Sequence, residues 1–356
     1  MTRVLIIKTS SMGDIVHNMP VIADIRRAVP SAIIDWVVEE AYADLVRLTH
    51  GITRVLPIAL RRWRQEPHRS HVHAERRAFS AALRSERYDI VLDTQGLLKS
   101  ALVAQRARLV PGGARVGFAL GLVRESLARL FYDRAYPVDP RLHAIERMRV
   151  LAASTFGYGP IADLPRFELD VPVQRFPWLA PTMAGKSSRY AVLLHATARA
   201  EKAWPPERWS GLIATLCAAG ITPVLPSGNA AERASAEEMV RAGIVAAGPA
   251  TTARPLVAPP VSLLEAAALL RGATAVVGVD TGLLHLASAL DVPTVGLFGA
   301  TPRWRYAPYW SSHAINLGNF GELGLQPELS AVAEALHRLG ILPTLATSGS
   351  VVQRVS

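Results

Sequence analysis

Short runs of apolar, mostly β-branched residues alternate along this chain with longer segments of helical periodicity. The strands predicted in the first half are residues 3–8, 33–38 and 88–92, and the predicted helices are 15–28, 41–49 and 74–86. The strands predicted in the second half are residues 190–194, 223–226, a run ending near Ala247, 275–279 and 294–298. Strands that alternate with helices form a mostly parallel sheet with helices on both faces. The sequence therefore predicts an α/β protein with two doubly wound domains.

The length and the proline content predict where the domains divide. At 356 residues the chain exceeds what one hydrophobic core supports, because domains split beyond about 250–300 residues. Residues 166–188 lack periodicity and are rich in proline, which is typical of a linker. We therefore expect domains at 1–165 and 189–325. An amphipathic helix is expected within 326–343, and residues 344–356 lack such a pattern and are expected to be disordered.

Charge and hydropathy limit the classes of protein that fit. No stretch of about 20 apolar residues could cross a bilayer, and the N-terminus lacks a signal-peptide pattern, so we expect a cytosolic protein. The single cysteine, Cys217, excludes an internal disulfide. The net charge is +10, and residues 1–165 hold 24 Lys and Arg against 16 Asp and Glu. We expect an acidic partner to meet the N-terminal half.

A polar turn, residues 8–14, follows the first predicted strand and ends in Asp14 at a predicted helix start. In an open α/β sheet, ligands bind beyond the carboxyl ends of the strands, so Asp14 is a candidate catalytic base. The alternative is that Asp14 only caps the helix, because its carboxylate can accept N–H bonds from the first turn. A phosphate loop is less favoured, since the turn has one glycine and a carboxylate would repel the anion.

Several basic groups in the first half could bind anions. Arg61, Arg62 and Arg64 flank Trp63, and guanidinium groups beside an indole suit phosphates or carboxylates at a lipid interface. Gln95 and Lys99 follow a predicted strand, so they lie at the same sheet edge as Asp14. Further basic groups are Arg124, His143 and Arg147. The alternative for each is an ordinary solvated or packed side chain.

The second half repeats the arrangement of strand, polar turn and helix. Thr197 and Lys202 follow its first predicted strand and could donate a hydroxyl and a cation to a phosphate; the alternative for Lys202 is a solvated loop lysine. Thr281 and Gly282 start a helix and would present free N–H groups to an anion. The remaining candidates are Asp280, which could be only a cap, His285, which could be only packed, and Glu232, which could bind a ribose or be a solvated first-turn acid.

Taken together, these segments resemble the lipopolysaccharide heptosyltransferases of glycosyltransferase family 9, in particular those that act first on the Kdo-bearing lipid A core. The carrying segments are residues 8–14 with His17 and Pro20, 36–40, 61–64, 95–100, 194–197 with Lys202, Trp204 and Pro205, and 279–282 with His285. They occur in order from residue 4 to about 300. The resemblance implies a GT-B fold, in which two Rossmann-like domains face each other across a cleft and the C-terminal helix packs back toward the N-terminal domain.

The resemblance also implies a reaction. The donor would be ADP-L-glycero-β-D-manno-heptose and the acceptor a Kdo hydroxyl of Kdo2-lipid A, with inversion, with Asp14 as base and with neither metal nor cofactor. The implied donor-side residues are Thr197, Ala198, Lys202, Glu232, Asp280, Thr281, Gly282 and His285, with Ala198 standing where relatives often have a second Thr. The implied acceptor-side residues are Ser10, Ser11, Gly13, Arg61, Arg62, Arg64, Gln95, Lys99, Arg124, His143 and Arg147. The implied location is peripheral, at the cytoplasmic face of the inner membrane of a Gram-negative bacterium.

Other functions stay open at this point. A related heptosyltransferase could act on a later core heptose, and a non-catalytic basic protein could bind nucleic acid or a membrane surface. Nucleic acid is not an expected partner, because such a binder would not require the combination of Asp14, Lys202 and residues 280–282. A dinucleotide-dependent dehydrogenase is less favoured, since neither half has the glycine fingerprint.

Overall fold

The structure is a computed structural model, and it describes residues 1–119, 125–159, 162–179, 189–251, 253–318 and 325–343. Three predictions concern other residues. Arg124, the last nine residues of the predicted linker, and the tail 344–356 lie outside the described residues.

The first domain is built on a parallel sheet of six strands. Its strands are β1 (Arg3–Ile7), β2 (Ile33–Glu39), β3 (Ile52–Ile58), β4 (Arg87–Asp93), β5 (Arg108–Phe118) and β6 (Arg134–Tyr136). Its helices are α1 (Met12–Ala28), α2 (Ala43–Arg47), α3 (Leu60–Gln65), α4 (Ser70–Arg84), α5 (Leu98–Arg106) and α6 (Ala144–Phe156). The spatial order is β3-β2-β1-β4-β5-β6, so the order reverses between β1 and β4. This is the switch point where doubly wound folds bind ligands.

The second domain repeats this plan. Its strands are β7 (Tyr190–Leu194), β8 (Thr222–Leu225), β9 (Leu256–Val257), β10 (Ala275–Val279), β11 (Thr294–Leu297) and β12 (Ala314–Leu317). Its helices are α7 (Pro206–Ala218), α8 (Ala230–Ala247), α9 (Leu263–Arg271), α10 (Gly282–Ala289), α11 (Arg303–Tyr306) and α12 (Leu329–Arg338). The order β12-β11-β10-β7-β8-β9 reverses between β7 and β10. The predicted donor-side turns follow these two strands.

The central strands β1, β2, β7, β10 and β11 are buried on both faces, as their continuous apolar sequences require. Trp36 on β2 and Trp209 on α7 are among the largest fully buried side chains. The described part of the linker contacts both domains: Leu169 pairs with Thr49 in an antiparallel bridge, and the Val171 carbonyl accepts a hydrogen bond from Arg271. No described helix is long and apolar enough to span a bilayer.

Two expectations were wrong. The run ending near Ala247 is part of helix α8 and not a strand, because Asn229 caps the helix by accepting from the Glu232 N–H and the apolar face follows helical spacing. Helix α12 packs on the second domain and not on the first. Its Val332 and Leu336 side chains fit into the core that contains Trp209.

Candidate active site

A cleft of about 960 Å³ separates the two domains at their switch points. Its walls come from the start of α1 in the first domain and from the loops after β7, β10 and β11 in the second. The predicted residues that line it are Ser11, Gly13, Asp14, Thr197, Ala198, Lys202, Glu232, Asp280, Thr281, Gly282 and His285. The fold therefore brings together candidates that are up to 274 positions apart in the sequence.

Asp14 lies in the first turn of α1, at the rim of the cleft. Its Oδ2 accepts hydrogen bonds of 2.9 Å from both the N–H and the hydroxyl of Ser11, the N-cap residue. Its Oδ1 lies 3.9 Å from Lys8 Nζ, and a third of the side chain is exposed. Asp14 is therefore not the N-cap itself, but it does help to cap α1 while its carboxylate borders the cleft.

Gln95 supports the turn from the neighbouring strand. Its Oε1 accepts hydrogen bonds from the N–H groups of Thr9 (3.0 Å) and Ser10 (3.2 Å). Its own N–H donates to the buried Asp93 carboxylate, whose pKa is raised by burial. The hydrogen bonds of Gln95 to Thr9 and Ser10 therefore hold the backbone of the turn. Lys99 lies exposed on α5. None of these three side chains is among the described residues that line the cleft.

Lys202, Asp280 and His285 form a hydrogen-bonded group on the opposite wall. Lys202 Nζ donates to Asp280 Oδ2 at 2.6 Å, and His285 Nε2 donates to Asp280 Oδ1 at 2.9 Å. Burial alone would raise the pKa of Asp280, but the hydrogen bonds and charges of His285 and Lys202 outweigh it and hold that pKa low. Asp280 therefore stays ionised and orients a cation at the cleft surface.

The N-terminus of α10 faces the cleft beside this group. Thr281 is the N-cap and Gly282 the first helical residue, and the first N–H groups of a helix have no acceptor within it. These groups carry the positive end of the helix dipole and suit an anion such as a diphosphate. Thr197 and Ala198 line the cleft after β7.

Glu232 lines the same wall at the start of α8. Its carboxylate accepts hydrogen bonds from Gly228 N–H (2.7 Å) and Asn229 Nδ2 (2.8 Å). Its backbone carbonyl accepts from His195 Nε2 at 3.3 Å, which joins the end of β7 to α8. Glu232 is thus a helix-capping residue that also borders the cleft.

The two helix starts approach each other very closely. A Cβ added to Gly282 would lie 2.6 Å from Met12 Cγ, and one added to Gly13 would lie 3.1 Å from His285 Cδ2. The rings of His17 and His285 are 4.4 Å apart across the same seam. Met12 and His17 were not predicted as site residues, although His17 is one helical turn from Asp14.

Histidine rings from three helices meet at this seam. His143, the N-cap of α6, lies 5.8 Å from His17 and 4.8 Å from Tyr309, centroid to centroid. Burial, together with the nearby His285 and His143 rings, lowers the pKa of His17 well below its usual value. Burial and His285 lower the pKa of His143 to about 4. Both rings are therefore neutral at pH 7.

The described arginines that were predicted to bind the acceptor lie on two helices, α3 and α6. Arg61, Arg62 and Arg64 lie on α3 and are not among the described cleft residues. Arg62 donates to Glu40 and Glu75 and is already paired. Trp63 is buried, with its indole N–H donating to Glu75, so the expected indole surface is wrong.

Arg147 lies on α6, with its guanidinium 5.4 Å from the centre of the Phe118 ring. Burial, followed by the nearby Arg305 guanidinium, lowers the pKa of Arg147. Arg305 lines the cleft and was missed by the sequence reasoning, because it lies on a four-residue helix without a motif. Among the described residues, no cluster of three His, Cys, Asp or Glu side chains could hold a metal ion.

Comparison with known proteins identifies the family. The model of glycosyltransferase family 9 (heptosyltransferase) matches residues 76–334. Lipopolysaccharide heptosyltransferase 1 of Escherichia coli K12 is 42% identical over 337 residues, covering 93% of this chain and all of that protein. The Pseudomonas aeruginosa heptosyltransferase 1 is 42% identical over 299 residues, covering 84% of this chain and 79% of the relative.

Solved structures agree with these sequence matches. E. coli heptosyltransferase WaaC with ADP superposes with a TM-score of 0.81 at 36% identity, covering 95% of this chain and all of that one. The same enzyme with ADP-2-deoxy-2-fluoro heptose gives a TM-score of 0.76, covering 95% and 99%. The expected GT-B architecture is confirmed. The chain belongs to glycosyltransferase family 9, the heptosyltransferases, and is a glycosyltransferase.

Proposed function

We propose that this heptosyltransferase moves L-glycero-D-manno-heptose from ADP-heptose to a Kdo hydroxyl of Kdo2-lipid A, with inversion at the anomeric carbon. The observation that carries the proposal is that Asp14 and the group Lys202–Asp280–His285 face one cleft from opposite domains. A direct displacement needs a base near the acceptor hydroxyl and positive charge near the leaving diphosphate. The relatives solved with ADP and with a fluoro-heptose donor support the choice of donor.

The proposed step is a single displacement. The acceptor oxygen forms a bond to the anomeric carbon while the bond from that carbon to the ADP oxygen breaks, and the hydroxyl proton passes to Asp14. Ser11 holds the Asp14 carboxylate at Oδ2, which orients it toward the cleft. ADP leaves with the electron pair, and its growing charge is stabilised by Lys202 and by the N–H groups at the start of α10. The proposal assigns no step to a metal or cofactor.

Each donor-side residue has a proposed part in binding. Asp280 acts through Lys202 and His285, which it orients, and is therefore a positioning residue. Thr197, Thr281 and Gly282 bind the diphosphate, and Glu232 accepts from ribose hydroxyls. Because Ala198 has no hydroxyl, phosphate binding relies more strongly on Lys202. On the acceptor side, Arg147 and His143 face the sugar, while Arg61 and Arg64 meet lipid A phosphates.

We also propose a peripheral contact with the cytoplasmic face of the inner membrane, since the acceptor is a lipid. Three leucines of the first domain are exposed to an unusual degree: Leu102 (40%), Leu127 (61%) and Leu130 (77%). They form what we call the leucine patch, where a 3₁₀ helix (Ser126–Phe131) packs on α5 through the hydrogen bond from Gln105 Nε2 to the Phe131 carbonyl, 2.7 Å. Lys99 and Arg106 flank Leu102 on α5, which suits an anionic bilayer.

The experiment is an ADP-release assay on the purified chain with ADP-heptose and Kdo2-lipid A. We expect the Asp14→Asn protein to keep its fold and lose about 10²- to 10⁴-fold in kcat, the usual effect of removing a general base. The exposed acid Asp44, which pairs with Arg47, provides the control Asp44→Asn. Turnover by Asp14→Asn at the control rate would contradict the assignment of the base.

The same assay tests the acceptor and the metal. Heptosylated core offered beside Kdo2-lipid A separates the two candidate acceptors, and preference for the heptosylated core would favour the later-acting alternative. A chelator should leave the rate unchanged. Loss of activity on chelation, with recovery on adding a divalent metal, would contradict metal-independent transfer.

A further inference from the structure

Arg305, on helix α11, is a charged residue of the cleft that has no role in the reaction as proposed above. It lines the cleft on the side of the second domain, in the segment that follows β11. Its guanidinium carbon lies 5.6 Å from the centre of the Tyr306 ring and 6.0 Å from that of Trp304. Stacking on aromatic rings fixes the plane of a guanidinium and limits its rotamers.

The hydrogen-bonding groups of Arg305 are not used within the described chain. Its Nε is buried and has no acceptor there, and no described carboxylate or carbonyl accepts from its terminal nitrogens. A buried N–H without an acceptor is costly, and a guanidinium can offer five of them. The guanidinium of Arg305 therefore offers N–H donors that no described residue accepts.

A second positive charge lies on the other domain, on helix α6, which contacts α11. Arg147 is stacked over Phe118, and its pKa is lowered by burial and then by Arg305, so the two guanidinium groups repel each other. His143, the N-cap of the helix that carries Arg147, accepts a hydrogen bond from Ile145 N–H and is neutral, so it adds no negative charge. Two like charges held together from two domains are stabilised when an anion binds between them.

We propose that Arg305 and Arg147 form an anion site that spans the domain seam and holds the carboxylate of the acceptor sugar. The inference rests on the proposed function, because that acceptor is a sugar acid. The diphosphate of the donor is the other anion in the cleft, but it already has Lys202 and the start of α10. The Arg305–Arg147 site is distinct from both and includes the first domain, which is the acceptor side.

The consequence for the reaction is positioning. A carboxylate that binds to both domains fixes the orientation of the acceptor ring relative to the donor. Its binding also favours closure of the two domains around the acceptor. Arg305 is therefore a specificity-determining residue for acceptors that carry a carboxylate. Its loss should raise the KM for the acceptor and leave donor binding unchanged.

The experiment pairs a protein change with a substrate change. Wild type, Arg305→Lys, Arg305→Gln and the control Arg338→Gln, an exposed arginine on α12, are assayed with Kdo2-lipid A and with the same acceptor whose carboxylates are methyl esters. Folding is checked by thermal unfolding, and ADP binding by calorimetry. For Arg305→Gln we expect an acceptor KM about 10- to 100-fold above wild type, the range for a charged hydrogen bond. Arg305→Lys should fall between the two.

The esterified acceptor separates the outcomes. Esterification should weaken transfer by wild type and by Arg338→Gln, but weaken transfer by Arg305→Gln to a smaller extent, because the contact with Arg305 is already lost. Equal sensitivity to esterification in wild type and Arg305→Gln would overturn the inference. A raised donor KM or weakened ADP binding in Arg305→Gln would also overturn it, in favour of a diphosphate contact. No transfer by wild type to Kdo2-lipid A would instead refute the proposed function itself.

Discussion

At the scale of single residues, the site is built from side chains that have two tasks. Asp14 caps α1 through Ser11 and borders the cleft, so the structural and catalytic interpretations of this acid are compatible. Glu232 likewise caps α8. A carboxylate held by N–H groups has few rotamers, which suits a group that must meet a substrate in one geometry.

The buried histidines at the seam predict how stability depends on pH. The pKa of His143 is lowered from its usual value near 6.5 to about 4, so the unfolded chain binds more protons between these values. Stability is therefore full above pH 6.5 and falls as the pH drops toward 4. For His143 alone, the free energy of unfolding should decrease by on the order of 2 kcal/mol between pH 7.5 and 5.

Chemical denaturation at these two pH values measures the effect. His143→Gln should reduce the difference between them, while the exposed His68→Gln should keep the wild-type difference. The N-cap bond from Ile145 N–H is affected in His143→Gln at both pH values, so the difference and not the absolute stability is the informative quantity. An unchanged difference in His143→Gln would contradict the prediction.

At the scale of elements, the starts of two helices from different domains lie in close contact at the cleft. α1 and α10 follow β1 and β10, the strands at the two switch points, and their first turns meet across the cleft. Glycine at positions 13 and 282 permits this approach, since a Cβ at 282 would collide with Met12 and one at 13 would lie in tight contact with His285. Both positive helix ends therefore point to the same small volume.

The close approach of α1 and α10 predicts that a substitution in one helix compensates for a substitution in the other. In Gly282→Ala the new Cβ would lie 2.6 Å from Met12 Cγ and 2.7 Å from Met12 Cβ, so α1 and α10 must separate. We expect kcat/KM to fall by about 10- to 100-fold, because small misplacements of reacting groups have effects of this size. Met12→Ala should restore much of the activity when it is combined with Gly282→Ala. Steady-state kinetics of both single variants and the double variant test this, and a double variant as impaired as Gly282→Ala would exclude steric separation as the cause.

At the scale of the whole molecule, charge and apolar surface are unevenly distributed. The first 165 residues carry a net charge of +8 and the remainder +2, and the leucine patch lies in the first domain. The first domain is thus the one better suited to an anionic lipid surface.

Vesicle binding tests the membrane contact. We expect the chain to sediment with phosphatidylethanolamine–phosphatidylglycerol vesicles, less at high salt because charge is screened. The double variant Leu127→Ser and Leu130→Ser should bind at least about 10-fold more weakly, since each buried leucine contributes about 2 kcal/mol. Val245→Ser, which changes an equally exposed apolar residue of α8, is the control. Equal binding of the double variant and the control would contradict a role for the leucine patch.

Local sequence patterns determined most of the regular structure. Buried strands such as β1 and β10 were predicted from their continuous apolar runs, whereas β3 and β5 were missed. In β3, Arg54 and Pro57 interrupt the apolar pattern, and β5 contains Pro111 and three glycines. Such strands are defined by pairing with neighbours, β2 and β4, which a local pattern does not reveal.

The sequence by itself determined the two α/β domains and the turns that carry Asp14, Lys202 and residues 280–282. Strands, turns and helices are indicated by local patterns, and the chemistry of a side chain follows from its residue type. Only the tertiary structure decided which of those turns share a cleft, that Trp63 is buried, that α12 packs on the second domain, and that Arg305 lines the cleft. These depend on contacts between residues far apart in the chain. The energy of such contacts comes from burial and charge in three dimensions, which no local pattern contains.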